Sequence, residues 1–372
     1  MRRILHISKY YHPYIGGVET VCRQLAENTP DAQCAVVCFN SGKRDCEDEV
    51  NGIKVYRVGS WVNISRQALS PTYFTVLRKA IREFKPDIIH FHWANPFPAA
   101  VLLCLIPKDV KLIVHWHMDI IKQKYLYHLI KPVESALLKR ADMILTTSPQ
   151  YRSHSIPLQP YPDKIKILPN AIEESRWTLR EGDEHNIMTL KQEYGQKPIV
   201  LFVGRHIQYK GLPCLIEAER YVKSDCVFII AGDGPLTASL KASCNSPRVI
   251  FTGRLSEDQL RWYQYAASVF AFPSVSKNEA FGLALADAMY CQTPAVTFTI
   301  EGSGVNWVNL DGVTGIEVPN GDARTFATAI DRLLQDKDLA ASYGIAAKKR
   351  ILDNFTLSRM LETYSELLSG LK

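Results

Sequence analysis

Glu279 and Asp287 stand eight residues apart, with Gly282 between them. They belong to the stretch from Pro273 to Gly315. It reads Pro-Ser-Val-Ser-Lys-Asn-Glu-Ala-Phe-Gly-Leu-Ala-Leu-Ala-Asp-Ala-Met, followed by Thr-Pro-Ala-Val, Glu-Gly-Ser-Gly and Asp-Gly-Val-Thr-Gly. A short helix is expected to start near Gly282. Its free N–H groups and positive dipole end suit a phosphate. Glu279, in the loop, can reach a group beyond that phosphate. Asp287, about two turns along at 3.6 residues per turn, can reach one on its near side. This layout suits a sugar, a diphosphate and a ribose in a row.

A second element supplies cations. The apolar run Ile199–Val203 ends at Gly204, and Arg205 and Lys210 follow on the loop before Gly211. Ligands of open α/β sheets sit at the C-terminal ends of buried strands. An Arg fork and a mobile Lys charge there suit a diphosphate. In the N-terminal half, Gly16-Gly17-Val18-Glu19 follows a first strand and precedes a helix, and lacks the full Gly-x-Gly-x-x-Gly fingerprint. Glycines at such a turn let backbone approach a ligand, and the helix start can take an anion. His92-Trp93 and His115-Trp116-His117 end two further strand-like runs, with Asp119 just after. Alternation along a strand allows His115 and His117 to share a face. Asp119 is expected either to bind an acceptor or to orient His117.

The ordered set resembles the nucleotide-sugar-dependent glycosyltransferases of family 4. It comprises Gly16-Gly17-Val18-Glu19, Pro86-Asp87-Ile88-Ile89-His90, His115-Trp116-His117, Gly204-Arg205 with Lys210-Gly211, Ala231-Gly232-Asp233-Gly234-Pro235-Leu236, Phe251-Thr252-Gly253 and Glu279 with Asp287. The resemblance covers nearly the whole chain and implies an α/β GT-B fold, two facing Rossmann-like domains with parallel sheets and an interdomain cleft. It implies a hexosyltransferase that retains anomeric configuration. Glu279, His117, Arg205 and Lys210 would be catalytic. Gly17, Gly232, Arg254, Leu255, Ala280, Phe281, Gly282, Leu283 and Asp287 would join Arg205, Lys210 and Glu279 in holding the donor. Gly16, Glu19, His92, Trp93 and Asp119 would face the acceptor, with plain burial the alternative for His92 and Trp93. Arg205 and Lys210 would stabilise the departing diphosphate, and Glu279 would hold sugar hydroxyls. No metal or other cofactor is expected, and no His/Cys/Asp cluster with ligand spacing stands out in the sequence.

Three positions depart from the family pattern: Asp287 stands where Glu is usual, Gln292 where Gly is usual before Thr-Pro, and Asn306 where an acid is usual. The stretches 115–124 and 302–308 resemble a bacterial branch that builds O-antigen or other surface polysaccharide. That points to mannose from GDP-mannose and a lipid-linked or polysaccharide acceptor in lipopolysaccharide biosynthesis. UDP-glucose, UDP-N-acetylhexosamine or GDP-rhamnose donors remain open, as does an inactive nucleotide-sugar binder. An epimerase or phosphorylase on a related fold fits the motif set poorly.

The elements that must position these residues alternate in α/β rhythm. Strand-like runs lie at Arg3–Ser8, Gln33–Cys38, Ile53–Val58, Ile88–Phe91, Leu112–His115 and Met143–Thr147. They resume at Ile199–Val203, Cys226–Ala231, Val249–Thr252, Val269–Phe272 and Ala295–Phe298. β-Branched runs without clean alternation predict strands buried on both faces, hence parallel sheets. Helical patterns fall between them, such as Glu19–Thr29. Residues 1–168 form the acceptor domain in this reading and 197–352 the nucleotide-sugar domain. The charged stretch 169–196 is the linker, and 353–372 a helix that the resemblance sends back to the first domain.

The length of 372 residues suits two domains, and 47% hydrophobic with 22% charged residues is an ordinary globular balance. No uncharged apolar run nears the roughly 18 residues of a membrane span. Nine cysteines without a Cys-x-x-Cys pair suggest reduced thiols and a cytoplasmic setting. The net charge of +6 divides unequally: residues 1–168 carry 23 Lys and Arg against 14 Asp and Glu, and the remainder 21 against 24. A basic half suggests an anionic partner. No nucleic-acid motif accompanies it. Residues 72–85 read as a basic amphipathic helix. Residues 120–140 mix Lys122, Lys124, Lys131, Lys139 and Arg140 with Tyr125, Leu126, Tyr127 and Leu129. Either stretch could lie on the inner face of a cytoplasmic membrane, or simply pack one face on its own sheet.

Overall fold

The computed structural model describes residues 1–64, 67–120 and 124–371. The chain forms two compact units, Met1–Asn170 with Ser358–Lys372, and Ala171–Leu357. The first unit contains β1 (Arg2–Ile7), β2 (Ala32–Phe39), β3 (Cys46–Val50), β4 (Ile53–Val58), β5 (Val62–Ile64), β6 (Gln67–Leu69), β7 (Ile88–Trp93), β8 (Lys111–Trp116), β9 (Met143–Thr146) and β10 (Ile165–Ile167). Eight of these form one sheet in the order β10-β9-β8-β7-β1-β2-β4-β3. All its pairings are parallel except β3 with β4. β5 and β6 form a separate hairpin.

The second unit contains β11 (Ile199–Val203), β12 (Val227–Ala231), β13 (Val249–Gly253), β14 (Val269–Phe272), β15 (Ala295–Phe298) and β16 (Gly315–Val318). They form one wholly parallel sheet, β13-β12-β11-β14-β15-β16. The strand-like runs of the sequence fall on strands in both sheets. Their residues are buried on both faces, as in all six of β7, which is why they read as continuous apolar runs. The strands missed by the sequence reading lie mostly at margins. Cys46-Glu-Asp-Glu-Val50 is an edge strand rich in exposed acids, the usual disguise of an unpaired edge.

Each sheet has one point where the strand order reverses. In the first it lies between β1 and β7, and in the second between β11 and β14. Open α/β sheets bind ligands outside the carboxyl ends of the strands at that point.

The segment expected to be a linker is part of the second unit from Ala171 onward. Its helix Asp183–Glu193 is fastened by Asp183, which is buried and accepts from Arg261 Nε at 2.7 Å and Trp262 Nε1 at 2.5 Å. Charged residues that suggested a solvated connection thus include one partner of a buried ion pair. At the other end, the chain joins the first unit at Ser358 rather than at 353. The helix Leu357–Ser369 buries Met360, Tyr364 and Leu368, a stripe at intervals of four residues.

Candidate functional site

β11 and β14 are neighbours, so the loops that follow them leave the second sheet side by side. Gly204 and Arg205 follow β11, and the short 3-10 helix Gln208–Lys210 ends at Gly211. Gly211 has φ +67°, and a Cβ there would run into the Pro273 carbonyl. That close approach is what lets the Lys210 loop lie against the loop after β14. Lys210 Nζ makes an ion pair with Glu279, and both side chains are nearly buried. Burial lowers the ammonium's pKa, but the Glu279 charge, Tyr209 and the hydrogen bond to Glu279 together outweigh it, so Lys210 is held above its usual value. Its charge also stands 5.0 Å from the centre of the Phe272 ring, a favourable placement for a cation.

Glu279 is fixed from three sides. Ser274 Oγ donates to its Oε2 at 3.2 Å, its own N–H donates to Ser276 O at 2.9 Å, and Ser303 Oγ donates to its carbonyl. Gly304 N then donates to Ala280 O at 3.1 Å. The Gly302-Ser303-Gly304 loop therefore props the Glu279 loop. Gly282, at φ +91°, caps the helix Leu283–Tyr290. The left-handed backbone there turns the chain into the helix without a side chain over its first N–H groups. Arg205 is exposed, and its guanidinium has no hydrogen-bond partner among the described residues.

The loop after β12 packs beside Arg205. His206 N donates to Asp233 O at 3.1 Å, and Leu236 N to His206 O at 3.1 Å. His206 Nδ1 is 2.8 Å from Thr237 Oγ1. Burial holds the His206 imidazole below its usual pKa. A Cβ at Gly232 would strike the Gly204 carbonyl, so Gly232 is needed for loop packing. Arg254 is exposed and Leu255 half-buried just after β13.

Asp287 lies within the helix Leu283–Tyr290, and its Oδ1 accepts from Trp177 Nε1 at 2.8 Å. Burial pushes its carboxyl up to about 7, against the opposing pulls of Arg176 and the Trp177 N–H. One of the two oxygens expected to meet a ligand is therefore already engaged. Phe281 points into the core, edge-on to Phe355 at 5.3 Å, which leaves its backbone, not its ring, for a ligand. Asn306 accepts from Ile300 N at 2.7 Å and donates to Phe298 O at 3.1 Å. Its amide serves both backbone groups at once, which a carboxylate could not do.

In the first unit five histidines crowd one region at the strand reversal. His6 comes from β1, His90 and His92 from β7, His115 from β8, and His117 follows β8. His6, His90, His92 and His115 are fully buried and His117 is 5% exposed, which separates His117 from His115 as the residue able to meet a ligand. Their rings stack, with centroids 4.1 Å apart for His115 and His117 and 5.2 Å for His92 and His117. His92 Nδ1 is 3.0 Å from His117 Nε2, and His92 Nε2 is 3.3 Å from His6 Nδ1. Burial depresses all five, His6 and His117 to about 3. Nitrogens of His90, His92 and His115 lie within 4.8 Å of one another, as do ligand atoms of His6, Cys22 and His92. Among the described residues, these are the groups that could hold a metal. Spacing along the chain does not single them out, because they come from three strands and the helix Gly17–Asn28.

Three acceptor-side expectations need correction. His92 is fully buried, and Trp93 is too, stacked on Trp116 at 5.0 Å. Neither lines a pocket directly, because β7 is an interior strand covered on both faces. Asp119 does not orient His117. Its Oδ1 accepts from Trp116 Nε1 at 2.8 Å and Ser155 Oγ at 2.7 Å, and its N–H donates to Tyr151 at 2.6 Å. Among the described residues, the hydrogen-bond partner of His117 is His92. Gly16 and Gly17 open the helix Gly17–Asn28 after β1. The Glu19 carboxylate folds back over Gly16, where an added Cβ would meet it. This places negative charge at a helix start that was expected to suit an anion.

Profiles described as Glycosyltransferase Family 4 and Glycosyl transferases group 1 match residues 15–176 and 197–336. O-antigen chain mannosyltransferase C of Escherichia coli is 30% identical over 380 residues, spanning 99% of this chain and 98% of that protein. This chain belongs to glycosyltransferase family 4. The D-rhamnosyltransferase WbpZ of Pseudomonas aeruginosa is 28% identical across 95% of this chain and 92% of its own length. Among solved structures, HepE of Anabaena in complex with UDP and glucose aligns with a TM-score of 0.82 at 19% identity over all of both chains. Sucrose-phosphate synthase of Thermosynechococcus elongatus aligns at 0.81 and 20%, over 100% of this chain and 99% of its own. The fold is GT-B.

In this glycosyltransferase, the second unit brings Arg205, Lys210, Gly232, Glu279, Gly282 and Asp287 to the loops and helix around one sheet reversal. Sequence reasoning missed Ser274 and Ser303, which hold Glu279, and Trp177, which holds Asp287 from 110 positions earlier in the chain. Ser274 and Ser303 stand in quoted motifs and were within reach. Nothing in the local pattern marks Trp177.

Proposed function

We propose a retaining hexosyltransferase that moves mannose from GDP-mannose to a lipid-linked or polysaccharide acceptor during bacterial surface-glycan synthesis. The observation that carries the transfer reading is the Lys210–Glu279 ion pair, with exposed Arg205 on the Lys210 loop and the Gly282-capped helix after Glu279. A diphosphate arriving there meets two cations and a row of helix N–H groups. As the bond from the sugar anomeric carbon to the diphosphate oxygen breaks, Arg205 and Lys210 stabilise the charge that grows on the leaving group. Glu279, as Lys210 turns to the diphosphate, holds sugar hydroxyls. The acceptor oxygen bonds to the anomeric carbon on the face the diphosphate leaves, and its proton passes to that diphosphate. In this reading the two cations supply the positive charge and no metal is required.

The mannose assignment is supported by the mannosyltransferase similar over nearly its whole length. The similar D-rhamnosyltransferase keeps GDP-rhamnose as the alternative. Among the described residues no helix is long and apolar enough to cross a membrane. The helix Tyr73–Phe84 packs Tyr73, Leu77, Ala80 and Ile81 inward. Arg78, Arg82 and Phe74 stay exposed, while Lys79 pairs with Glu47 at 2.5 Å. That exposed basic face supports docking on anionic lipid at the inner membrane surface. In the second basic stretch, Lys122 and the side chains of Lys124, Tyr125 and Leu126 lie outside the described residues.

The first test is thermal stabilisation by GDP, UDP, ADP and TDP, with and without EDTA. Stabilisation by GDP alone, unchanged by EDTA, is the expected outcome and selects GDP-mannose and GDP-rhamnose for transfer assays. Stabilisation by UDP alone would overturn the donor. A loss of transfer in EDTA that magnesium restores would overturn the metal-free chemistry.

A further inference from the structure

Burial disfavours the charged form of all five clustered histidines, and a neutral imidazole carries one proton on one of two nitrogens. Where that proton sits is fixed by what each nitrogen faces. His92 is bonded at both nitrogens, to His117 Nε2 at 3.0 Å and to His6 Nδ1 at 3.3 Å. It must donate to one and accept from the other, so the three rings form a chain that can run in only two directions. The far end of that chain is His6 Nε2, which is buried and has no hydrogen-bond partner. A buried N–H with no acceptor is rarer than a bare acceptor with no donor. His6 therefore carries its proton on Nδ1 and donates to His92 Nε2. His92 then carries its own on Nδ1 and donates to His117 Nε2. His117 is left with its proton on Nδ1.

A second chain beside the first repeats the logic. His115 Nε2 is likewise buried without a partner, His115 Nδ1 is 3.3 Å from His90 Nε2, and His90 Nδ1 is 2.6 Å from the Tyr364 hydroxyl. The same rule places the protons on Nδ1 of His115 and His90. Both chains begin at an orphaned Nε2 and run the same way. His90 ends on the C-terminal helix, whereas His117 is the one of the five that keeps any exposure, 5%, and its Nδ1 has no hydrogen-bond partner among the described residues.

We propose that His92 is a positioning residue that locks His117 in the Nδ1–H tautomer, so that His117 presents a neutral hydrogen-bond donor to an oxygen of the substrate. The ring's lone pair, on Nε2, is spent on His92. His117 then cannot take a proton from an acceptor hydroxyl as a general base. It can orient a hydroxyl or phosphate oxygen, which fits a reaction in which the leaving diphosphate takes that proton. The tautomer follows from the hydrogen bonds alone. Its effect on turnover rests on the transfer reaction proposed above.

The test is the long-range 1H–15N spectrum of the full-length protein labelled with 15N-histidine, with His117 assigned by its loss in His117→Asn. A protonated Nδ1 and a bare Nε2 at His117 are expected. A protonated Nε2 would overturn the proposal without touching the enzyme reading, because the spectrum needs no turnover. His92→Leu removes the donor to His117, and His92→Asn offers an amide N–H near the position of Nδ1. We expect kcat/KM for sugar transfer to fall about tenfold in His92→Leu and to recover largely in His92→Asn, with the Kd for GDP unchanged in both. Equal losses in the two folded variants would overturn the positioning role. Stoichiometric zinc that survives dialysis and leaves with a chelator would also overturn it, because the His92 and His117 nitrogens would then be ligands rather than hydrogen-bond partners. A wild-type protein with the expected spectrum and no transfer from any nucleotide sugar would sink the enzyme reading and leave the tautomer standing.

Discussion

Asp287→Asn tests the most strongly perturbed acid in the candidate donor site. Burial raises the Asp287 carboxyl from 3.8 to about 7. At about 1.4 kcal/mol per tenfold in proton affinity, ionising it inside the fold costs up to ~4 kcal/mol. Solvent reaching the half-buried side chain cuts this to ~2 kcal/mol. The sign follows from which state holds the proton. Between pH 4 and 7 the unfolded chain has lost it and the folded chain keeps it, so stability falls as pH rises through that window. Below pH 4 the contribution is fully present, and above 7 it is lost. The amide introduced by Asp287→Asn keeps an acceptor for Trp177 Nε1 and has no proton to lose. The variant should therefore match the wild type near pH 4 and exceed it at pH 8, by about 4–8 °C in Tm for a unit of this size. Differential scanning calorimetry at half-unit pH steps reads the difference. Parallel curves for the two proteins from pH 4 to 8 would refute the raised pKa. The same proton reports on the ligand. If ribose hydroxyls bind the carboxylate, GDP affinity should weaken as pH falls below 7 in the wild type and stay flat in the variant. Titration calorimetry in two buffers should show proton release on binding, and its absence would mean the ribose does not engage Asp287.

Lys210→Ala should lower kcat by about 100-fold or more while weakening GDP binding less, because the proposed contact tightens as charge grows on the leaving group; equal losses in both would assign Lys210 to ground-state binding. It should also destabilise the second unit, since Glu279 would be left nearly buried without its cation, and Lys210→Ala with Glu279→Gln should recover part of that loss in a denaturant titration. Tyr364→Phe removes the hydroxyl bonded to His90 and should cost about 1 kcal/mol, with transfer kinetics unchanged, because the His90 chain does not reach His117 by any hydrogen bond among the described residues. Replacing Arg78, Lys79 and Arg82 by Gln should weaken sedimentation with phosphatidylglycerol vesicles and leave transfer to a soluble acceptor intact; unchanged sedimentation would mean the helix serves only its own sheet.

The parallel strands of both sheets were legible because doubly buried strands must be apolar along their whole length. The acidic edge β3 and the short β16 were not, since an edge strand carries no such run. Local loop chemistry was legible as well. Gly211, Gly232 and Gly282 sit where a Cβ would clash or the backbone turns left-handed, and Arg205, Lys210 and Glu279 follow the strands that meet at the reversal. Long-range partners were not legible. Asp287 is fixed by Trp177 from the expected linker, and the charged residues of that stretch include Asp183, half of a buried pair with Arg261. Charge count alone cannot separate a solvated carboxylate from a paired one.

The histidines show why residue type misleads at a sheet reversal. His92 and Trp93 were read as facing the acceptor from their place after a strand-like run, yet both are buried. Register explains it. His90 is in register with His6 on β1, and His92 with His115 on β8, so imidazoles on adjacent strands stack and hydrogen-bond to their diagonal neighbours, His6 to His92 and His90 to His115. Two of the five, His6 and His115, leave a fully buried nitrogen unserved. Those two orphans are what give the hydrogen-bond chains a direction, and one of the chains runs to His117, the member of the set that keeps some exposure. The polar groups that do not touch a ligand thus decide how the one that can will meet it.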